Sequence, residues 1–511
     1  MLYRNPIISG FAADPSICRV DEDYYMVHST FEYFPGIPIL HSKDLVNWEI
    51  IGYAIHRAEQ MQFSGMKCSE GLYAPTIRYH GGTFYVVCTN VSMGGNFYVT
   101  ASNPAGPWSD PIWVKQGGID PSLFFDVDGK VYFTSNGWED KDGHSVAYIQ
   151  QSEIDIETGD LLTEPVRICY GTGGRCLEAP HLYRVNDWYY LVCAEGGTDL
   201  RHMVTVFRSK SPWGPFESHP NNPVLTARDE GAPTLSAVGH AELFEDMYGQ
   251  HWMVFLCYRM IGKYHHLGRE TGMVPIDWCN GWPIAVGGKA PGVIIDCPDR
   301  KGVDKLMPVE IVENDDFSST DHLGLKWNFL REFFADYSLE RAEKKGLVLK
   351  GNTHTLDELA TPAWIGRRQK HFHIKCDTLV AVDTQNEREE AGLSVVCSNR
   401  AWYAVVVSVR DGERVVVLKK RVEDMQMEIV HTLPEILQSI ECPIELYVDA
   451  DEQMYYFGYI CNGVKHCVGT GMAKLLSTEV NWGFTGAFIG MYAVGAEACF
   501  KYFKYAGKSD K

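Results

Sequence analysis

Apolar and polar residues alternate with a period near two along most of the chain, and the 3.6-residue spacing of an amphipathic helix is scarce. In the first half one pattern recurs five times: a turn rich in Asp, Gly or Asn leads into an aromatic, β-branched run. The instances are DEDYYMVHS from Asp21, GGTFYVVCT from Gly81, DGKVYFTSN from Asp128, NDWYYLVCA from Asn186 and YGQHWMVFL from Tyr248. Each predicts a β-hairpin closed by a two-residue turn.

A second element precedes each hairpin: ADPSI at 13–17, APTI at 74–77, DPSLF at 120–124, EAPHL at 178–182 and GHAEL at 239–243. Aligning the aliphatic residue of each string places Asp14, Ala74, Asp120, Ala179 and His240 at one equivalent position, with Glu178 one residue earlier. Downstream, HSKDLVNW, ASNPAGPW and SKSPWGPF mark a further strand ending in a turn. Five units of roughly 50 residues and about four strands each predict a five-bladed β-propeller. The innermost strand of every blade lines the central axis, so the equivalent positions converge on one pocket.

The repeat stops after about Gly281, and residues 297–314 read as a charged, Pro-containing linker. Beyond it, HFHIKCDTLVAVD, WYAVVVSV, RVVVLKK and IELYVDA alternate strongly and predict an antiparallel β-sandwich. The expected organisation is all-β: a five-bladed β-propeller over residues 1–300, then an antiparallel β-sandwich over 315–511.

Composition narrows the partners. The formal net charge of −20 disfavours nucleic acid. No apolar run approaches the roughly 20 residues that span a bilayer, and the N-terminus lacks a signal-peptide pattern, so a cytoplasmic location and no membrane partner are expected. The 15 Cys form no CxxC pair and sit mostly in strand-like runs, which predicts buried free thiols rather than disulfides or a zinc site.

The alignment puts three carboxylates, Asp14, Asp120 and Glu178, on the axis. Glycosidic hydrolysis needs a protonated carboxyl for the leaving oxygen and an ionised one on the other side of the ring. Acids crowded in an apolar funnel repel one another and lose solvation, which spreads their proton affinities. Asp14 is assigned as general base, Glu178 as general acid, and Asp120 as the group that orients Glu178 and keeps it protonated.

The strings NPIISGFAADPSI, STFEYFPGIPILHSKDLVNW, GGIDPSLFFDVDGKVYF, CLEAPHLY and HHLGRETGMVPIDW resemble β-xylosidases and α-L-arabinofuranosidases of glycoside hydrolase family 43. AWIGRRQKHFHIKCDTLVAVD and NWGFTGAFIGMYAVG resemble the concanavalin A-like domain of the β-xylosidase branch. The resemblance implies an inverting mechanism on Asp14, Asp120 and Glu178. It further implies substrate contacts from Phe31, Tyr73, Arg269 and Phe484, with His240 beneath the pocket near a cation held mainly through water. Tyr73 stands where relatives commonly have Trp, and GHAEL differs from the usual GHGDL; both bear on the choice of pentose.

The expected function is an exo-acting β-xylosidase releasing xylose from the non-reducing ends of small neutral xylo-oligosaccharides. The alternative is an α-L-arabinofuranosidase or a bifunctional enzyme. A glycoside phosphorylase and a non-catalytic carbohydrate-binding propeller rank lower: the first needs a phosphate subsite and the second should lack an axial acid. No cofactor is expected for the chemistry, although a structural calcium ion near the axis and a homo-oligomer are compatible with the resemblance. Phe34 is read chiefly as core, Arg269 has an ion pair with Glu270 or another acid as its competing role, and His265 and His266 are read as a solvated loop.

Overall fold

The computed structural model describes every residue except 232–233, 307–309, 318–321, 341–345 and 509–511. Among the described residues the only helical segments are Thr478–Asn481 and two 3-10 turns. The first half forms five antiparallel sheets of at least four strands, each a meander in chain order: five propeller blades. Their innermost strands are Ser16–Val20, Thr76–His80, Ser122–Phe125, Glu178–Val185 and Ser236–Glu245. Each pairs with the aromatic strand that the repeat predicted.

Three of the five hairpins close through two residues. The other two close through a longer loop opened by Asp126 and Asp246, whose backbone reaches four residues on: Asp126 N–H donates to the Lys130 carbonyl and Asp246 N–H to that of Gln250. The carboxylates of these aspartates also satisfy turn amides, Val127 in one case and Tyr248 and Gln250 in the other. The two-residue expectation therefore fails where an Asp side chain stabilises a wider turn.

Polar groups stitch neighbouring blades together at the axis. Ile77 N–H donates to Ser16 Oγ, Thr76 Oγ1 to the Pro121 carbonyl, and Ser122 Oγ to the Pro180 carbonyl. Leu243 N–H donates to the Tyr183 hydroxyl, and Ile17 N–H to Glu242 Oε2, which closes the ring. Ser16, Thr76, Ser122, His181 and Glu242 each lie two residues after an equivalent axial position, so the same alignment that locates the pocket locates this belt. Arg78 pairs with buried Glu242 and its second Nη contacts His181 Nδ1, so the axis beneath the pocket is filled by a satisfied ionic cluster.

The second half packs two sheets face to face. One runs Ala363–Arg368, Phe488–Val494, Glu390–Ser398, Ala401–Arg410, Glu413–Val422 and Met425–Thr432; the other is built around Glu497–Lys508 and His373–Val382. Residues 310–314, expected as linker, instead form most of a strand, Glu310–Asp315, that pairs with Glu497–Lys508. The alternation EIVEND signals this edge strand, and its charges mask it as a linker. Residues 307–309 of the expected linker lie outside the described residues. All 15 Cys are unpaired; most are buried or half-buried, but Cys279 and Cys467 are exposed.

Sandwich and propeller share a continuous interface. Tyr33–Phe34 of the first blade pairs with Phe329–Leu330, and Tyr33 stacks on Phe488 with ring centroids 4.0 Å apart. Phe34 packs on Phe63 and Phe333, away from the axial pocket.

Candidate active site

The equivalent axial positions share an unusual backbone. Asp14, Asp120, Ala179 and His240 have φ of 55°, 53°, 50° and 45°, in the left-handed region that non-glycine residues rarely occupy. β-Bulges interrupt the innermost strands of the fourth blade between Glu178 and His181 and of the fifth on either side of Gly239. Such bulges turn a strand's start toward an axis or active site. Local strain of this kind, repeated in four blades, swings each residue inward. It is why Glu178, one place before the equivalent position, also reaches the pocket.

Asp14 is buried and fully engaged. Arg269 Nη1 donates to Oδ1 at 2.8 Å, Ser29 Oγ donates to Oδ2 at 2.6 Å, and His240 Nδ1 lies 3.5 Å from Oδ1. Burial alone would raise its proton affinity, but Arg269, His240 and the Ser29 hydroxyl overcome it and hold the carboxyl below its ordinary value. Asp14 is ionised.

Asp120 and Glu178 behave oppositely. Burial pushes Asp120 well above the carboxylate range, and the charges of Glu178 and Asp14 push it further, against an N–H donated by Ala179. Burial and Asp14 lift Glu178 to about 7 while Arg269 and Arg175 oppose them. The two titrate as one coupled pair that retains a proton near neutral pH. The Ala179 N–H favours negative charge on Asp120 but does not overcome burial and the two neighbouring carboxylates. The structure thus brings all three acids into mutual electrostatic contact and separates them into one anion and one protonated pair.

Arg269 is 5% exposed and its competing partner is resolved. Glu270 is held by Arg259 through two 2.7 Å bonds, whereas Arg269 faces Asp14. Its guanidinium lies 5.3 Å from the Phe31 ring and 5.2 Å from the Phe484 ring, with Nε donating to the Phe484 carbonyl. Phe31 and Phe484 are stacked at 5.8 Å, and Tyr73 meets both edge-on at 5.2 and 6.0 Å. The three rings form an aromatic wall beside the acids, with Arg269 against it.

Phe484 comes from the sandwich, and its loop is pinned from the propeller. Ser69 Oγ accepts the Phe484 N–H, the Ser69 carbonyl accepts the Tyr73 hydroxyl, and the His266 carbonyl accepts the Ala487 N–H. Gly268 and Gly486 allow this: a Cβ on Gly268 would lie 2.8 Å from the Gly486 Cα, and one on Gly486 2.1 Å from the Leu267 carbonyl oxygen. Trp482, 69% exposed, tilts over Phe484 at 5.2 Å at the loop's outer end. The sequence did not flag Trp482, Ser29 or Ser69; an exposed Trp two residues before FTGAF was the available signal.

His265 and His266 correct an expectation, for both are buried rather than solvated. His265 stacks on Tyr258 at 3.8 Å and binds Glu479 and Thr478 of the sandwich. His266 is packed against Phe372 and Tyr455, and burial, with His265 and Arg259 nearby, lowers it to about 3. The two lie in the loop between His251–Tyr258 and Glu270–Cys279, as expected, but the sandwich covers that loop.

His240 is neutral: burial lowers it to about 4 despite Asp14. Among the described residues no three His, Cys, Asp or Glu side chains group to hold a metal. Glu242, a further carboxylate on the axis, is consumed by Arg78 and by the Ile17 N–H. Calcium takes about six to eight oxygens, so this donor set does not fit a directly coordinated calcium ion.

Known proteins agree with this architecture. The pattern "Glycosyl hydrolases family 43" matches residues 3–283, and "Beta xylosidase C-terminal Concanavalin A-like domain" matches 314–506. The chain is 42% identical to a non-reducing end alpha-L-arabinofuranosidase of Bacteroides ovatus over 96% of this chain and 91% of that protein. It is 34% identical to a xylan 1,3-beta-xylosidase of a Vibrio species, covering 98% of each. A solved Bacteroides ovatus structure described as Xyloglucan PUL GH43B superposes with a TM-score of 0.90 at 40% identity, over 99% of both chains. An axial acid cluster, five meander blades and a docked sandwich, matched end to end by these relatives, place the protein: the chain is a glycoside hydrolase and belongs to glycoside hydrolase family 43.

Proposed function

We propose that this enzyme is an inverting, exo-acting pentosidase that releases terminal xylose from short xylo-oligosaccharides. The carrying observation is the division of the acids: Asp14 ionised by Arg269 and Ser29, Asp120 and Glu178 jointly protonated. Asp14 takes a proton from the attacking water. Glu178 gives its proton to the leaving oxygen and ends the step ionised, with Asp120 orienting it. Negative charge on Asp14 and, as the proton leaves, on the pair stabilises the oxocarbenium-like transition state. Arg269 holds Asp14 and presents its remaining N–H groups toward sugar hydroxyls. Phe484 walls off the far side, which supports removal of one terminal unit rather than internal cleavage. No metal enters these steps.

Release of α-L-arabinofuranose is the second reading. The 42% identical relative is named an arabinofuranosidase, and Tyr73 is smaller than the Trp it replaces in many relatives, which leaves room for a differently shaped ring. A paired assay with nitrophenyl β-xyloside and nitrophenyl α-L-arabinofuranoside decides between them. On whichever is faster, Asp14→Ala should lower kcat by about 10²- to 10⁴-fold or more. Near-normal turnover of Asp14→Ala would remove the assignment, and a requirement for phosphate would replace hydrolysis with phosphorolysis.

A further inference from the structure

The seam between propeller and sandwich encloses a cavity of about 710 Å³, set apart from the acids and walled by the N-terminal segment, the first blade and the sandwich. That volume suits a small organic ligand. Its lining is strongly cationic although the chain carries a net charge of −20. Arg4, Lys305, Lys326, Arg367, Arg368 and Lys370 all line it, together with Arg259, and Glu49 is the one acid among the described lining residues.

Some of these charges are neutralised locally. Arg367 and Lys326 share Glu313, and Arg259 holds Glu270. Among the described residues no carboxylate lies within ion-pair distance of Arg4, Lys305, Arg368 or Lys370. Lys305 donates only to the Val46 carbonyl, and Arg368 Nη1 only to the Asn328 side-chain oxygen. Arg368 Nη2 is buried with no hydrogen-bond partner, as is Arg367 Nε. An orphaned guanidinium N–H in a low-dielectric site is costly. Burial lowers Lys370 to about 8, and Arg367, Arg368 and Lys326 add to it against Glu313. Cations crowded this closely are destabilising unless an anion joins them.

We propose that this cavity binds a small organic oxyanion, presenting a phosphate or carboxylate to Arg368 and Lys370 and its carbon body to the apolar wall of Trp48 and Leu40. Arg forks and Lys point charges are the side chains that recognise such groups. The site is linked to the pocket through one layer of rings: Arg368 lies 5.7 Å from Phe11, and Phe11 lies 6.0 Å from Phe31. The same chemistry arises from a free or sugar-borne phosphate and from a uronic acid, and this inference does not depend on which pentose the acids release.

Calorimetric titration of the full chain at pH 7 and fixed ionic strength tests it, with inorganic phosphate, glucuronate and neutral xylose as separate titrants. The expected result is one-site binding of phosphate, glucuronate or both, undisturbed by saturating xylose, and fading above pH 8. Lys370→Met and Arg368→Gln should each weaken it about tenfold or more, with kcat on an aryl pentoside unchanged. Lys370→Arg should retain it, and Arg4→Gln serves as a rim variant if the buried changes impair folding. Absence of binding by both anions at about 10 mM, affinity that survives in the charge-removing variants, or displacement by xylose would overturn the proposal.

Discussion

Arg269 sets the protonation state of the proposed base, and its removal should move the enzyme's pH profile. Its Nη1 lies 2.8 Å from Asp14 Oδ1, and both side chains are almost wholly buried, so solvent screens the pair little. Two unit charges about 4 Å apart at an effective dielectric near 20 attract by about 4 kcal/mol, or about three pH units. In Arg269→Gln that attraction is gone while burial remains, so the Asp14 carboxyl moves from below its ordinary value to above it. A depressed carboxylate is active above its folded pKa, so the acidic limb of kcat/KM moves upward. Glu178 also loses an opposing cation, so the alkaline limb rises too. Lost hydroxyl contacts lower kcat/KM equally at every pH, whereas the change in ionisation alters its shape. The assay is hydrolysis of the faster nitrophenyl pentoside from pH 4 to 9 in wild type, Arg269→Gln and Arg269→Lys. Arg269→Lys, which keeps the charge, should keep the acidic limb low. A profile for Arg269→Gln that is lowered but unshifted would refute the electrostatic reasoning.

Other outcomes follow from the same contacts. The alkaline limb of wild-type kcat/KM should fall near pH 7, leaving about a tenth of the activity at pH 8, because Glu178 must carry the proton it donates. Glu178→Gln should slow xylobiose far more than an activated aryl glycoside, which needs no acid for its leaving group. Phe484→Ala should raise KM about tenfold with an unchanged melting temperature, since it removes pocket wall rather than sheet core; an unaltered KM would detach the sandwich from the site. Burial raises Glu32 to about 7 and leaves its Oε1 unpartnered, so its ionisation opposes folding as pH climbs from about 4.5 to 7. Glu32→Gln should therefore raise the melting temperature at pH 8 and leave it nearly unchanged at pH 4.5.

The repeat was the most legible feature of the sequence because the propeller's geometry forces it. One residue in each unit must face the axis, and an aliphatic residue three places on must enter the blade core, so Ile17, Ile77, Leu123, Leu182 and Leu243 align and are all buried. The polar belt two places after the axial residue was equally available and went unused, because Ser16, Thr76 and Ser122 look like ordinary strand residues until their neighbours in space are known. What single-chain patterning could not reach is contact between distant segments. His265 and His266 read as a polar loop, yet Glu479 and Phe372 from the sandwich bury them. Ser69 looks like turn chemistry and instead anchors Phe484 across 415 residues. The strand Glu310–Asp315 is hidden by its charges, since an edge strand can expose every second side chain.

The stereochemistry of the first-formed sugar tests the central claim most directly. If Asp14 activates water across the ring from Glu178, proton NMR during hydrolysis of a β-xyloside must show α-xylose appearing first, with the β-anomer growing only as mutarotation proceeds. For an α-L-arabinofuranoside the first product must be the β-anomer. Retained configuration in the first minutes would contradict the account, because it would make one of the carboxylates a covalent nucleophile rather than a base.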